Sequence, residues 1–161
     1  MNIFFLDENP SLSAQYHCDK HVVKMILEYA QLLSTTHHVL DKESAPSVLY
    51  KPTHINHPSA VWTRANTENY RWLVSLFIDL NKEYTFRYNK RHKSKSLLSS
   101  FLSVPKNIPD GTFYQPTQAM PPEYKIEGDS ITAYRDYYYG AKRDIAHWTK
   151  RDLPFFMSEV L

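Results

Sequence analysis

Glycine is the residue this chain does without: 3 in 161 positions, against 12 tyrosines, 8 phenylalanines and 3 tryptophans. Glycine alone takes positive φ without steric cost, and two-residue β-hairpins depend on that freedom. A chain this poor in glycine is disfavoured as an all-β fold of tight hairpins. It also contains neither G-x-G-x-x-G nor G-x-x-x-x-G-K-[ST], which excludes a Rossmann or P-loop nucleotide site. The length suits one domain with a real core. The single cysteine, Cys18, excludes an intramolecular disulfide framework and a multi-thiolate metal site, and fits a reducing, cytoplasmic compartment. The start, Met1-Asn2-Ile3-Phe4-Phe5-Leu6-Asp7, has no basic flank and no long apolar run, so a signal peptide is not expected. No stretch approaches the roughly 18 apolar residues of a membrane span. A net charge of +2 permits a nucleic-acid partner without requiring one.

Periodicity predicts a mainly α fold: a single helical domain over residues 1–161 with long ordered loops, and an N-terminal segment packed near the first long helix. Asn9-Pro10 supplies an N-cap and a proline in the first turn. From there to about His37, Leu12, Tyr16, Val23, Ile26, Ala30 and Leu33 form an apolar stripe at three- and four-residue steps. His17, His21, Lys24, Glu28, Gln31 and Thr35 form the opposite face. A second helix is expected from Pro58 to about Tyr84, a short one over 95–102, and a last one from Ser130, capped by Asp129, to near Trp148. Residues 104–129 hold five prolines and two of the three glycines and read as a long functional loop.

The polar face of the first helix is the strongest chemical candidate. His21, Lys24, Glu28 and Gln31 share one side. A carboxylate beside a lysine and a histidine can act as a general base or stabilise a developing cation. The same spacing also suits a solvated face of ion pairs, with lysine before glutamate the less favourable order for helix stability. His17 and His21, and His54 and His57, are spaced temptingly for a metal, yet no H-E-x-x-H and no second compact ligand cluster exists, so no metal is expected. Arg87, Lys90, Arg91 and Lys93 alternate with Tyr84, Phe86 and Tyr88, a mixture suited to phosphate contact and base stacking. It equally suits a basic helix end.

Taken in order, these segments resemble the pyrimidine-dimer DNA glycosylase family of the phage endonuclease V type. The residues that carry the resemblance are Met1-Asn2-Ile3-Phe4, then Asp19-Lys20-His21-Val22-Val23 through Glu28 with its Asp-His-Glu spacing. Lys51-Pro52-Thr53 with His57-Pro58, Tyr70-Arg71-Trp72-Leu73 through Phe86, and Lys142 through Trp148 to Phe155 follow. The chain is also similar to a phage subgroup with the same D-K-H-V-V-K-M start. The resemblance implies a DNA glycosylase with AP-lyase activity on damaged or modified pyrimidines, a monomer needing no cofactor, acting on double-stranded DNA in a bacterial or phage-infected cell.

Carried over by position, Met1 supplies an α-amine nucleophile, Glu28 the assisting carboxylate, and His21 holds or polarises the site. An α-amine suits this role because a fair fraction is free base near neutral pH. Where the family has phosphate-gripping arginines this chain has Leu27 and Gln31, with Lys20 and Lys24 one turn earlier. Lys20, Lys24 and Gln31, with Arg87, Lys90, Arg91 and Lys93, are the expected DNA contacts. His54, Asn56, His57, Gln115 and Gln118 are candidate site-loop residues. Two other readings stay open: a phage enzyme that modifies a DNA base on the same scaffold, and a non-catalytic nucleic-acid-binding module.

Overall fold

A computed structural model describes residues 1–158, and among them there are helices, turns and loops but no strand. The first α-helix, α1, spans Pro10–Tyr16, and Asn9 caps it by accepting from the amides of Ser11 and Leu12. The long helix α2 runs Asp19–Asp41. Short α3 covers Pro58–Arg64 and α4 covers Thr67–Tyr88. One turn, α5, spans Leu98–Phe101. Helix α6 spans Ser130–Tyr137 and widens into a π-type turn at Tyr138–Lys142. Helix α4 packs against α1 and α2, and α3 packs on both α2 and α4. The apolar segment Ile3, Phe4, Phe5 and Leu6 is buried in the same core as Ile26, Tyr29, Leu33, Tyr70 and Phe77. The N-terminal segment therefore lies against the first long helix.

The expected helix over 10–37 is two helices, and tertiary partners cause the break. A continuous helix would bond the amides of residues 18 and 19 to carbonyls four residues back. Here the Cys18 amide donates to the Tyr138 hydroxyl and the Asp19 amide to the His147 carbonyl. Of the carbonyls at the break, that of Gln15 accepts from Arg87 and that of Tyr16 from the Trp148 indole. The expected helix over 58–84 is also broken, here chiefly by a local cap. Asn66 caps α4 through the Asn69 amide, and the Thr67 amide donates to Pro109. The last helix ends well short of Trp148.

The faces of the expected helix over 10–37 also differ from expectation. Ile26, Ala30 and Leu33 are buried, but Leu12 and Val23 are exposed, and His17, His21 and Thr35 are buried. Over residues 20–31, packing on several sides leaves a narrow strip of α2 in contact with solvent, formed by Lys20, Val23, Lys24, Leu27, Glu28 and Gln31.

The loop 104–129 is held in place by side chains. Asp41 accepts from the amides of Lys106 and Asn107. The Trp62 indole donates to the Tyr114 carbonyl. Gly111 is packed so closely on Asn66 that a Cβ would lie 2.6 Å from the asparagine Cβ.

Candidate active site

The solvent-facing row of α2 ends at the chain's N-terminus. The extended segment over residues 1–6 returns along α2 and sets the Met1 α-amine 3.8 Å from Glu28 Oε1. Lys24 Nζ lies 3.8 Å from the other carboxylate oxygen, Oε2, one turn earlier on the helix. The Glu28 side chain is 16% exposed and that of Lys24 is 71% exposed. Oε2 is buried and accepts no hydrogen bond from the protein. A carboxylate facing two cations, with one oxygen uncommitted, can take a proton from an amine and stabilise positive charge developing nearby.

His57 belongs to the same neighbourhood. It caps α3, its Nδ1 accepting from the Ser59 amide at 3.0 Å. Burial lowers its pKa, and the positive charge of the Met1 amine lowers it further. Asn56 and His54 are exposed on the preceding turn, where His54 adopts a left-handed backbone and its Nδ1 pairs with Thr53 Oγ1.

His21 lies beneath the N-terminal segment. Its ring stacks on Phe4 with centroids 4.1 Å apart, and its Nδ1 pairs with the Tyr138 hydroxyl. That hydroxyl accepts from the Cys18 amide, so its proton is free to go to His21. Burial, reinforced by His17 and three nearby lysines, drives the His21 pKa down to about 3. The imidazole is neutral at ordinary pH and holds Phe4 in place. His17 is also enclosed, bonded to Ser13 and Tyr29. The two rings thus have separate tyrosine partners. No three metal-ligating side chains converge among the described residues.

The expected DNA contacts fall into two groups. Lys20 and Lys24 project from the solvent-facing row, with half-buried Gln31 beyond Glu28. Lys93 joins Lys24 across an open groove whose floor is Val23, Leu27 and Tyr50. Lys90 and Arg91 are exposed on the segment leading into it. These cations and the Met1–Glu28 pair are gathered around one helix.

Arg87 is corrected. Its side chain is fully buried, with Nε on Glu83 at 2.8 Å, Nη1 on Asp19 at 3.0 Å and Nη2 on the Gln15 carbonyl. Arg151 meets the same Glu83 from the C-terminal segment, and Asp19 also accepts from the Thr149 amide and hydroxyl. Every polar atom of Arg87 is committed to tying α1, α2 and α4 together, so it does not reach a phosphate. Asp19, part of the spacing behind the family resemblance, serves here as an anchor for residue 149.

Gln115 and Gln118 line an open cavity with Lys125 and Glu127, and both are tied to neighbouring backbone. The Gln115 side chain accepts from the Ser130 amide, and Gln118 both donates to and accepts from the Ile126 backbone. Gln118 thereby braces the loop's own backbone and Gln115 ties the loop to the first residue of α6.

Tyr29 and Ser13, which touch the N-terminal segment directly, were not singled out from the sequence. Only a polar-tipped aromatic next to Glu28 and a serine inside α1 marked them. Comparison of the chain with models of protein families, with curated proteins and with solved structures finds no match in any of the three.

Proposed function

We propose that the protein is a DNA glycosylase with AP-lyase activity, acting on damaged or modified pyrimidines in double-stranded DNA with the Met1 α-amine as nucleophile. The observation that carries this reading is the 3.8 Å approach of that amine to Glu28. The exposed lysines on the same face support a polyanionic partner. Among the described residues no helix is long and apolar enough to cross a membrane.

The chemistry follows from the two groups. The free amine attacks C1′ of an extruded nucleotide, and the C1′–N bond to the base breaks with its electron pair leaving on the base. Glu28 takes the proton lost by the amine and faces the positive charge that develops on the sugar. Ring opening gives an imine between Met1 and C1′. Removal of a C2′ proton then expels the 3′ phosphate, and water hydrolyses the imine to release the enzyme.

Incubation with abasic-site duplex and borohydride tests this. Reduction of the imine should leave a covalent adduct that maps to Met1, and a tag placed before Met1 should abolish it. Absence of both adduct and strand nicking refutes the proposal. Glu28→Gln should bind duplex as the native protein does and lose turnover.

A further inference from the structure

An amine at the end of an extended segment needs something to hold it. Residues 1–9 form no helix or ladder, so their backbone has no regular hydrogen bonds to fix direction. Burial of Ile3, Phe5 and Leu6 holds the segment in the core, but apolar burial is non-directional. Arg135 Nε donates to the Leu6 carbonyl and the Trp72 indole to the Glu8 carbonyl, each at 2.9 Å, and fix the far end of the segment. Nearer the amine, direction comes from three hydrogen bonds to side chains of α1 and α2. The Phe4 amide donates to the Tyr29 hydroxyl at 3.1 Å, Ser13 Oγ donates to the Phe4 carbonyl at 3.1 Å, and the Leu6 amide donates to Ser13 Oγ at 3.3 Å. The bond to Tyr29 is the one nearest the amine along the chain.

Tyr29 directly follows Glu28, so one turn of α2 both presents the carboxylate and grips the segment that carries the amine. The hydroxyl's orientation is set by His17. The His17 Nδ1–H donates to the Ser13 carbonyl at 2.6 Å, which leaves Nε2 as an acceptor for the Tyr29 O–H at 2.8 Å. With its proton directed to His17, the hydroxyl turns a lone pair toward the Phe4 amide. Burial keeps both groups in the forms this requires: it pushes Tyr29 well above its usual range and His17 down to about 4.

We infer that Tyr29 is a positioning residue for the Met1–Glu28 pair, with His17 orienting its hydroxyl. The inference rests on the function proposed above for that pair, but its test does not require DNA. A carbodiimide activates the Glu28 carboxylate; a neighbouring amine attacks the acyl carbon, an amide bond forms, and the urea departs carrying the elements of water. Met1 and Lys24 both stand 3.8 Å from this carboxylate, so each yields its own cross-linked peptide. The Lys24 product is an internal reference, since general loosening lowers both products.

In Tyr29→Phe, the ratio of Met1 to Lys24 cross-link should fall roughly five-fold, the factor carried by one hydrogen bond of ordinary net worth. An unchanged ratio in a variant that melts cooperatively overturns the inference, as does absence of the Met1 cross-link in the native protein. Should Tyr29→Phe not fold, the deciding molecule is a full chain in which Phe4 is replaced by its α-hydroxy acid. It is assembled from a synthetic 1–17 thioester ligated at Cys18. It lacks only the Phe4 N–H and should show the same fall; an unchanged ratio there also overturns the inference. A native cross-link that is lost in Tyr29→Phe, together with no borohydride adduct on abasic DNA, refutes the glycosylase reading while leaving the positioning role standing.

Discussion

Acid should weaken this fold before its carboxylates titrate, and His17 should account for a large share of the loss. The ring is fully buried, with Nδ1 donating to Ser13 and Nε2 accepting from Tyr29, so the fold accommodates only the neutral form. Burial lowers its pKa from 6.5 to about 4. Between those values the unfolded chain binds a proton that the folded chain does not, so stability falls as pH falls. Each pH unit in the window is worth about 1.4 kcal/mol, and the whole window amounts to about 3 kcal/mol. That is a large fraction of the roughly 5–15 kcal/mol typical of a folded domain. His21 contributes with the same sign, but the two rings repel when charged, so their effects do not simply add. Asp19 and Glu83 act in a lower window. Burial pushes both upward, but hydrogen bonds from Thr149 and Arg87 to Asp19, and from Arg151 and Arg87 to Glu83, outweigh it. Their contribution is intact above the ordinary carboxylate range and is lost only below it. Urea unfolding at pH 7, 6, 5 and 4 tests the argument on the native protein and on His17→Gln, which keeps a donor and an acceptor but cannot titrate. The variant should be less stable at pH 7 and lose about 3 kcal/mol less on acidification to pH 4. Parallel loss in the two proteins would show that His17 is not held neutral by the fold, and the reasoning would fail.

Arg87→Met should lower unfolding free energy by about 3 kcal/mol, because Glu83 loses one of its two guanidinium partners inside the protein; thermal melting reads this directly. Lys93→Ala and Lys24→Ala should melt within about 0.5 kcal/mol of the native protein, while each reduces the slope of log affinity for duplex DNA against log salt by about 1. Gly111→Ala should destabilise by about 1–3 kcal/mol in the same melting assay, since its Cβ would meet Asn66 at 2.6 Å.

Arg87 and Lys93 show where the sequence was legible and where it was not. They lie six positions apart in one run of cations and aromatics, and composition treats them alike. Helical phase was enough to predict that α4 exists, and its apolar positions Tyr70, Leu73, Phe77 and Leu80 are all buried. What separates the two cations is long-range. Arg87 faces Asp19 and the Gln15 carbonyl across the core, contacts 68 and 72 residues away in the chain. No local pattern carries that information. The same cause broke the first helix at residues 17 and 18, where Tyr138, His147 and Trp148 take over the backbone groups. The break at Asn66 differs, because an asparagine cap is a local signal, present in the sequence and overridden by the apolar period around it. For the candidate site, spacing alone put Lys24, Glu28 and Gln31 on one side of α2. The approach of Met1 to Glu28 was expected only from the family resemblance. In the structure it depends on burial of residues 3–6 and on Tyr29, a residue whose hydroxyl gave no sign of its partner. The proposed chemistry of this site therefore hangs on the least regular part of the backbone, held nearest the amine by side chains of α1 and α2. For that reason a conservative change at Tyr29 should disturb the amine more than any change among the exposed lysines.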